Sequence, residues 1–384
     1  MSRCRPAGPG AVTGNAGVTD AGTSRILIYR RDLVNKLRRI KREFLLRKKR
    51  VMEFGLRPLL LPRKVKHIHG PQEISYGLDE LLVISVVRNG ELYIKSFMDH
   101  YQAMGVKHFV FLDNGSTDRT VELLCAQERI TVLRTDAPYK KYENTMKRYL
   151  AERFSAGRWN LCADIDELFD YPFSETLSLR DFLGYLNANG YTAVVAQMLD
   201  MFSDTPLAEL ESTLGDLLNE KYVYYDTSLI SKTEYLWSVR SNAEIKMHWG
   251  GVRKAVFGTD NGLTKSPLVL MDGKVKTFIT WHHVKGARMA DISCLLLHYP
   301  FVSSFYAKVK DAVRTGRYGM RVTDEYKAYA RGLNGTANLN FKRDSARRFT
   351  GLEALIEDQF LIISDKYLQW VNDHAREHTT VRPR

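Results

Sequence analysis

The feature that most constrains this chain is an alternation that begins at Leu81. "LLVISVV" is an apolar run of strand length, and "ELYIKSFMDHYQAMG" behind it has helical periodicity and stops at Gly105. "KHFVFLD", "ITVLRT" and "WNLCADID" read as further strands, separated by the helical stretches "NGSTDRTVELLCAQE" and "YENTMKRYLAERFSAG". "YTAVVAQMLDMF" adds another strand that ends near Asp200. In the second helical stretch Ser116 or Thr117 stands where an N-cap is expected. Such alternation predicts an α/β fold, a mostly parallel sheet with right-handed crossovers and helices on its faces. Ligands of such sheets bind outside the carboxyl ends of the strands. Here those ends carry Arg88 and Asn89, Asp113 and Asn114, Asp164 and Asp166, and Asp200. Four polar ends on one predicted edge point to a site.

The stretch "RWNLCADIDELFDYP", residues 158–172, runs an apolar strand into Asp164, Asp166, Glu167 and Asp170. Like charges this close repel, and their burial is costly unless something positive neutralises them. The sequence leaves two readings: a solvated acidic turn, or a cation site at a strand end. An Asp-x-Asp triplet alone arises by chance about once in a chain of this length, so the context has to decide. In a regular strand Asp164 and Asp166 would project to opposite sides. A bend at Ile165 would let one reach a ribose while the other meets a metal. No G-x-G-x-x-G follows the first strand and no P-loop occurs anywhere, which argues against a nicotinamide dehydrogenase and a P-loop kinase. A carboxylate-held Mg²⁺ or Mn²⁺, with phosphate and water filling most of its shell, is the other common device for holding a diphosphate.

The net charge of +13 invites a nucleic-acid reading until its distribution is examined. Residues 25–66 hold 16 Lys and Arg against three acidic residues, whereas residues 67–384 hold 39 basic and 40 acidic residues. The excess therefore belongs to one N-terminal segment, and the body is close to neutral. In that segment Leu33, Leu37, Ile40 and Phe44 recur at helical spacing among "KLRRIKREFLLRKKR". This is the pattern of a basic amphipathic helix at an anionic membrane surface, or of a docked helix with a solvated basic face. Peripheral membrane contact through residues 25–60 is expected, and a nucleic-acid partner is not. The four cysteines show neither metal spacing nor a disulfide framework, and Cys125 and Cys162 read as core residues. A reducing, cytoplasmic location at the inner face of a membrane follows as the expectation.

"VISVVRNGELYIKSFMDHYQAMGVKHFVFLDNGSTDRT" followed by "WNLCADIDELFDYP" resembles the GT-A glycosyltransferases, specifically the family-2-like group of bacterial type. The correspondence is ordered over residues 81–172. It continues more loosely through "MLDMFSDTPL", "GGVRKAVFG", "LTKSPLV" and "LLLHYPFVSSF". This chain departs from the pattern in two places. Gly90 stands where many members have Glu, with Glu91 one place later, and the acidic triplet runs on into Glu167-Leu168-Phe169. The resemblance implies a GT-A (Rossmann-like) core, a nucleotide-sugar donor such as a UDP- or GDP-sugar, and a Mn²⁺ or Mg²⁺ cofactor. The acceptor would be a glycan, a lipid-linked species or an envelope component. Carried over by position, Asp113 would hydrogen-bond the base, and Arg88 and Asn89 would line the base and ribose pocket, with Asn114 beside them. Asp164 would face the ribose and share the metal site, and Asp166 would bind the metal.

Several residues carry two readings. His298 closes the apolar "DISCLLLH" run as a metal or diphosphate ligand, or as a satisfied core histidine. Arg253, Lys254 and Lys265 would bind donor phosphates, or are plain surface charges. Asp200 would be the general base of an inverting transfer, with Glu244 and Asp204 as competitors, or a turn residue. Glu167 is expected to be structural, and Asp170 to be a turn residue before Pro172. The organisation that follows is a disordered leader over 1–24, a basic arm over 25–66, the core over 81–300 and a helical extension over 301–384. In the extension "DEYKAYARGL" and "GLEALIEDQFLIISDKYLQWV" read as helices. The rival functions are a sugar nucleotidyltransferase, and a non-catalytic scaffold whose basic arm binds nucleic acid or membrane. "RNGELY" lacks the Gly-rich, Arg/Lys-bearing loop that the first rival wants.

Overall fold

The computed structural model describes residues 48, 51–280, 282–334 and 339–378. The chain divides into two compact units, Met1–Leu56 and Arg57–Arg384. The expected leader, and the basic arm up to residue 50 apart from Lys48, lie outside the described residues. Of the first unit, Met52–Leu56 forms one wide helical turn.

The second unit is built on a nine-stranded sheet. Its strands are β1 (Val65–His69), β2 (Leu82–Val87), β3 (His108–Asp113), β4 (Ile130–Thr135), β5 (Trp159–Cys162), β6 (Glu167–Asp170), β7 (Ala193–Asp200), β8 (Thr264–Leu270) and β9 (Met289–His298). They lie in the order β1-β4-β3-β2-β5-β8-β7-β9-β6. Strands β4, β3, β2 and β5 run parallel, β8 runs against both of its neighbours, and β7 and β9 are again parallel. β1 and β6 close the two edges antiparallel. The predicted strands from Leu81 to Asp200 are thus all present. β1 is an addition that periodicity did not reveal, because a five-residue edge strand with four exposed residues carries no apolar alternation.

The sheet is covered on both faces, which is why its central strands are apolar throughout rather than alternating. Leu82, Ile84, Val110 and Leu112 enter one core with Met146, Leu150 and Ala151 of helix α3 (Tyr139–Ser155). Val83, Val87, Phe109 and Phe111 enter the other with Phe97 and Tyr101 of α1 (Ile94–Met104). α1 ends at Gly105, whose φ of 91° is the left-handed cap that glycine allows.

The next helix, α2 (Thr120–Cys125), begins later than the sequence suggested, and neither Ser116 nor Thr117 caps it. The N-cap position is Arg119, with no side-chain cap; Asp118, one residue before it, accepts from the Thr120 amide at 3.0 Å, while Glu91 accepts from the Arg119 amide at 3.0 Å. Ser116 is drawn away to accept from the Asn89 amide at 2.9 Å. The C-terminal helices α6 (Phe305–Thr315) and α7 (Met320–Asn334) bury Phe305, Val309, Ala312, Tyr326 and Tyr329 in the same core as α1 and α4 (Leu179–Ala188). "GLEALIEDQFLIISDKYLQWV" is not one helix. It breaks after Glu353–Glu357 at Gln359, whose φ is 54°, and resumes at Asp365. Among the described residues no helix is long and apolar enough to cross a membrane.

Candidate active site

The strand order creates the site. β5 lies near the middle of the sheet and β6 at its edge, yet only residues 163–166 join them. This short connection passes across the ends of β8, β7 and β9, and so carries Asp164 and Asp166 over Lys265, Asp200 and His298. The bend anticipated at Ile165 is a tight turn, closed by the Glu167 amide donating to the Asp164 carbonyl at 2.9 Å. The Tyr299 amide donates to the Asp166 carbonyl at 2.9 Å and ties the turn to the end of β9.

The cation that this acidic turn requires comes from the chain itself. Lys147 of α3 reaches the Asp164 carboxylate at 2.8 Å, and Lys265 reaches its other oxygen at 3.2 Å. Lys265 also pairs with Glu167. Lys308 of α6 lies 3.1 Å from Asp166 Oδ2, and His298 Nε2 lies 3.8 Å from the same oxygen. The other ring nitrogen of His298 is 2.6 Å from Asp200 Oδ1, and Arg253 of α5 (Val252–Phe257) donates to Asp200 Oδ2 at 2.7 Å. Glu325 of α7 stands 3.6 Å beyond Arg253.

These pairings set the charge states. Burial alone would raise the Asp164, Asp166 and Asp200 carboxyls. Their partners prevail and hold all three below the usual carboxylate range: Lys147 and Lys265 for Asp164, Lys308 and then His298 for Asp166, Arg253 and then His298 for Asp200. Burial likewise opposes charge on the lysines, but Asp164, Glu167 and Asp166 keep Lys147, Lys265 and Lys308 raised and therefore protonated. Glu167 is the exception, since burial outweighs Lys265 and its carboxyl is raised. Asp200 is fully engaged and held low, so as placed it orients His298. A general base works best with a pKa near the operating pH.

The second cluster of expected residues surrounds the ends of β2 and β3. Asp113 is fully buried and accepts from the amides of Gly115 at 3.3 Å and Ser116 at 3.0 Å, with Arg134 at 3.4 Å. Its carboxylate shapes the loop. Asn89, at a φ of 53°, accepts from the Thr117 amide at 2.9 Å and clips that loop to the end of β2. Asn114 donates to the carbonyls of Thr135 and Ala137, and Arg317 reaches its side-chain oxygen at 3.4 Å. Arg88 is exposed beside them. Gly90 has a physical reason to be glycine: a Cβ there would lie 2.8 Å from Val87 Cγ2 and 3.2 Å from Ile165 Cγ1.

The remaining candidates lie apart from the acidic turn. Lys254 pairs with Asp260 at 3.2 Å on the surface. Asp204 is exposed and lies 3.4 Å from Lys342. Glu244 lines a cavity of about 250 Å³ with Lys232, Glu234 and Lys246. Asp170 lies in β6, in register with Leu295, rather than in a turn.

Lys147, Lys308 and Glu325 were not anticipated. Lys147 and Lys308 did carry a signal: Lys147 sits three and four places before the core residues Leu150 and Ala151, and Lys308 sits between Phe305 and Ala312 on the buried stripe of its helix. A lysine on an apolar helical stripe implies a buried acid.

Among the described residues no three His, Cys, Asp or Glu side chains converge to hold an ion. The pair Asp166 and His298 does suit a hard divalent ion that takes only one or two protein ligands. Ligand bonds of about 2.1 Å could span their 3.8 Å separation, and Asp200 fixes the ring as an orienting carboxylate should.

No family model matches the chain, and no curated protein matches it. Among solved structures it is similar to a UDP-glucose pyrophosphorylase complexed with UDP-glucose, over 79% of this chain and 99% of that one, at 7% identity and a TM-score of 0.25. A likeness this slight has no bearing on function.

Proposed function

We propose that the chain is a glycosyltransferase that moves a sugar from a nucleoside-diphosphate donor to an acceptor hydroxyl. The observation that carries this reading is the Asp164–Asp166 turn laid across the strand ends, with Lys308, His298 and Arg253 around it. In the reaction the bond between the anomeric carbon and the diphosphate oxygen breaks, the diphosphate leaves with the electron pair, a bond to the acceptor oxygen forms, and the hydroxyl proton passes to solvent. Charge develops on the diphosphate, and preorganised cations stabilise it. Asp166 and His298 are the residues that would hold a Mn²⁺ or Mg²⁺ ion, which supplies further neutralisation of that charge when bound. Asp164, locked between Lys147 and Lys265, holds the turn in shape. The loop of Asp113, Asn114 and Asn89 provides a rigid wall for the base and ribose.

The test is calorimetric titration with UDP, GDP and CDP in Mn²⁺, followed by product analysis with the matching nucleotide sugar. Release of a nucleoside diphosphate supports the reading, and release or consumption of pyrophosphate identifies a nucleotidyltransferase instead. Asp166→Asn keeps the volume but removes the ligand charge, so turnover falls by orders of magnitude while the melting transition survives. A well-folded Asp166→Asn protein with near-wild-type turnover refutes the reading.

A further inference from the structure

The lysines of the site are not equivalent. The Lys147 and Lys265 side chains are 2% and 5% exposed and sit on a helix packed against the sheet and on a sheet strand, respectively. They are fixed counter-ions of Asp164 and Glu167. Lys308 is 35% exposed, comes from a helix beyond the last long strand, and meets only Asp166 among the carboxylates of the turn. Its ammonium lies 3.1 Å from the same Asp166 oxygen that His298 Nε2 faces at 3.8 Å. A metal ion cannot share that oxygen with the ammonium without strong mutual repulsion. A long, flexible side chain that keeps about a third of its surface exposed is the one able to leave.

We propose that Lys308 is an exchangeable counter-ion, which occupies Asp166 in the absence of a divalent cation and competes with that cation for the carboxylate. A nucleoside diphosphate relieves the competition, because its phosphate charge draws Lys308 off Asp166. Ion and nucleotide therefore bind with positive coupling, and the coupling passes through Lys308. This second step rests on the nucleotide-sugar reading above, whereas the competition for Asp166 does not.

The experiment measures free Mn²⁺ by electron paramagnetic resonance on the full-length protein, with the metal alone and then with UDP. The variants are Lys308→Met, Lys308→Gln and Asp166→Asn, each checked by a melting curve. With the metal alone, both Lys308 variants should bind Mn²⁺ at least tenfold more tightly than the wild type, and Asp166→Asn should bind it more weakly than the wild type. UDP should tighten Mn²⁺ binding by a larger factor in the wild type than in Lys308→Met. Unchanged or weaker Mn²⁺ binding in the folded Lys308 variants overturns the proposal, and so does binding that is insensitive to Asp166→Asn. If no nucleotide binds while the Lys308 variants still gain affinity for Mn²⁺, the glycosyltransferase reading falls and the competition stands.

Discussion

Lys265 offers the sharpest test of how this site is held together. Its ammonium joins Asp164 and Glu167, and the Lys265 and Glu167 side chains are only 5% and 2% exposed. Lys265→Met keeps the length of the side chain and removes the charge. Asp164 retains Lys147 at 2.8 Å, but Glu167 loses the cation it pairs with. Breaking one side of a buried pair costs about 3–5 kcal/mol. With an unfolding entropy of about 2.1 cal/mol/K per residue over the roughly 330 residues of the Arg57–Arg384 unit, that is a fall in Tm of about 4–7 °C.

The loss also has a pH signature. Burial already raises the Glu167 carboxyl above its usual 4.5, against the pull of Lys265, and without the lysine it rises further. A carboxyl raised in the folded state binds more protons folded than unfolded, so stability falls as pH climbs from 4.5 through the folded value. Differential scanning calorimetry between pH 5 and 8 should therefore show a penalty for Lys265→Met that is smaller at pH 5. Adding Glu167→Gln should restore most of the loss, because the orphaned charge is gone. An unchanged Tm, or a penalty equal at both pH values and not relieved by Glu167→Gln, refutes the reasoning.

Two further outcomes are expected. Gly90→Ala forces Val87 or Ile165 to move, since the new Cβ would lie 2.8 Å and 3.2 Å from them, and overpacking of this kind costs about 1–3 kcal/mol. Thermal melting should show the loss, accompanied by weaker UDP binding because Ile165 separates the two aspartates, and an unchanged Tm would contradict the packing account. Deleting residues 1–56 removes most of the basic segment while sparing β1, and each basic residue near an anionic surface contributes about 1 kcal/mol. Sedimentation with phosphatidylserine vesicles should then fall sharply, and retention equal to the full chain would remove the membrane reading.

Much of the framework was legible from local pattern. Apolar runs of strand length, helical periodicity and the stop at Gly105 placed the strands and helices from Leu81 to Asp200, because each signal is confined to a few neighbouring residues. The polar strand ends followed from the same pattern, whereas the bend at Ile165 was only one of the ways the chain could run on, since Glu167 and Asp170 do continue as a strand. Short or interrupted elements were less legible. β1 exposes most of its residues at the sheet edge, α2 starts only after Asp118 because Ser116 is engaged by Asn89, and the C-terminal helix breaks at Gln359.

What only the tertiary structure decided is the partner of each charge. The sequence left open whether Asp164, Asp166 and Glu167 face solvent or a cation, and it could not name the cation. The structure supplies lysines at separations of 17, 98, 101 and 142 residues along the chain. The strand order brings them together, because β5 and β6 are joined across the ends of β8, β7 and β9 by only four residues. Periodicity reports which face of an element is buried. It does not report what an element lies against, and the energy of a buried carboxylate depends on that neighbour.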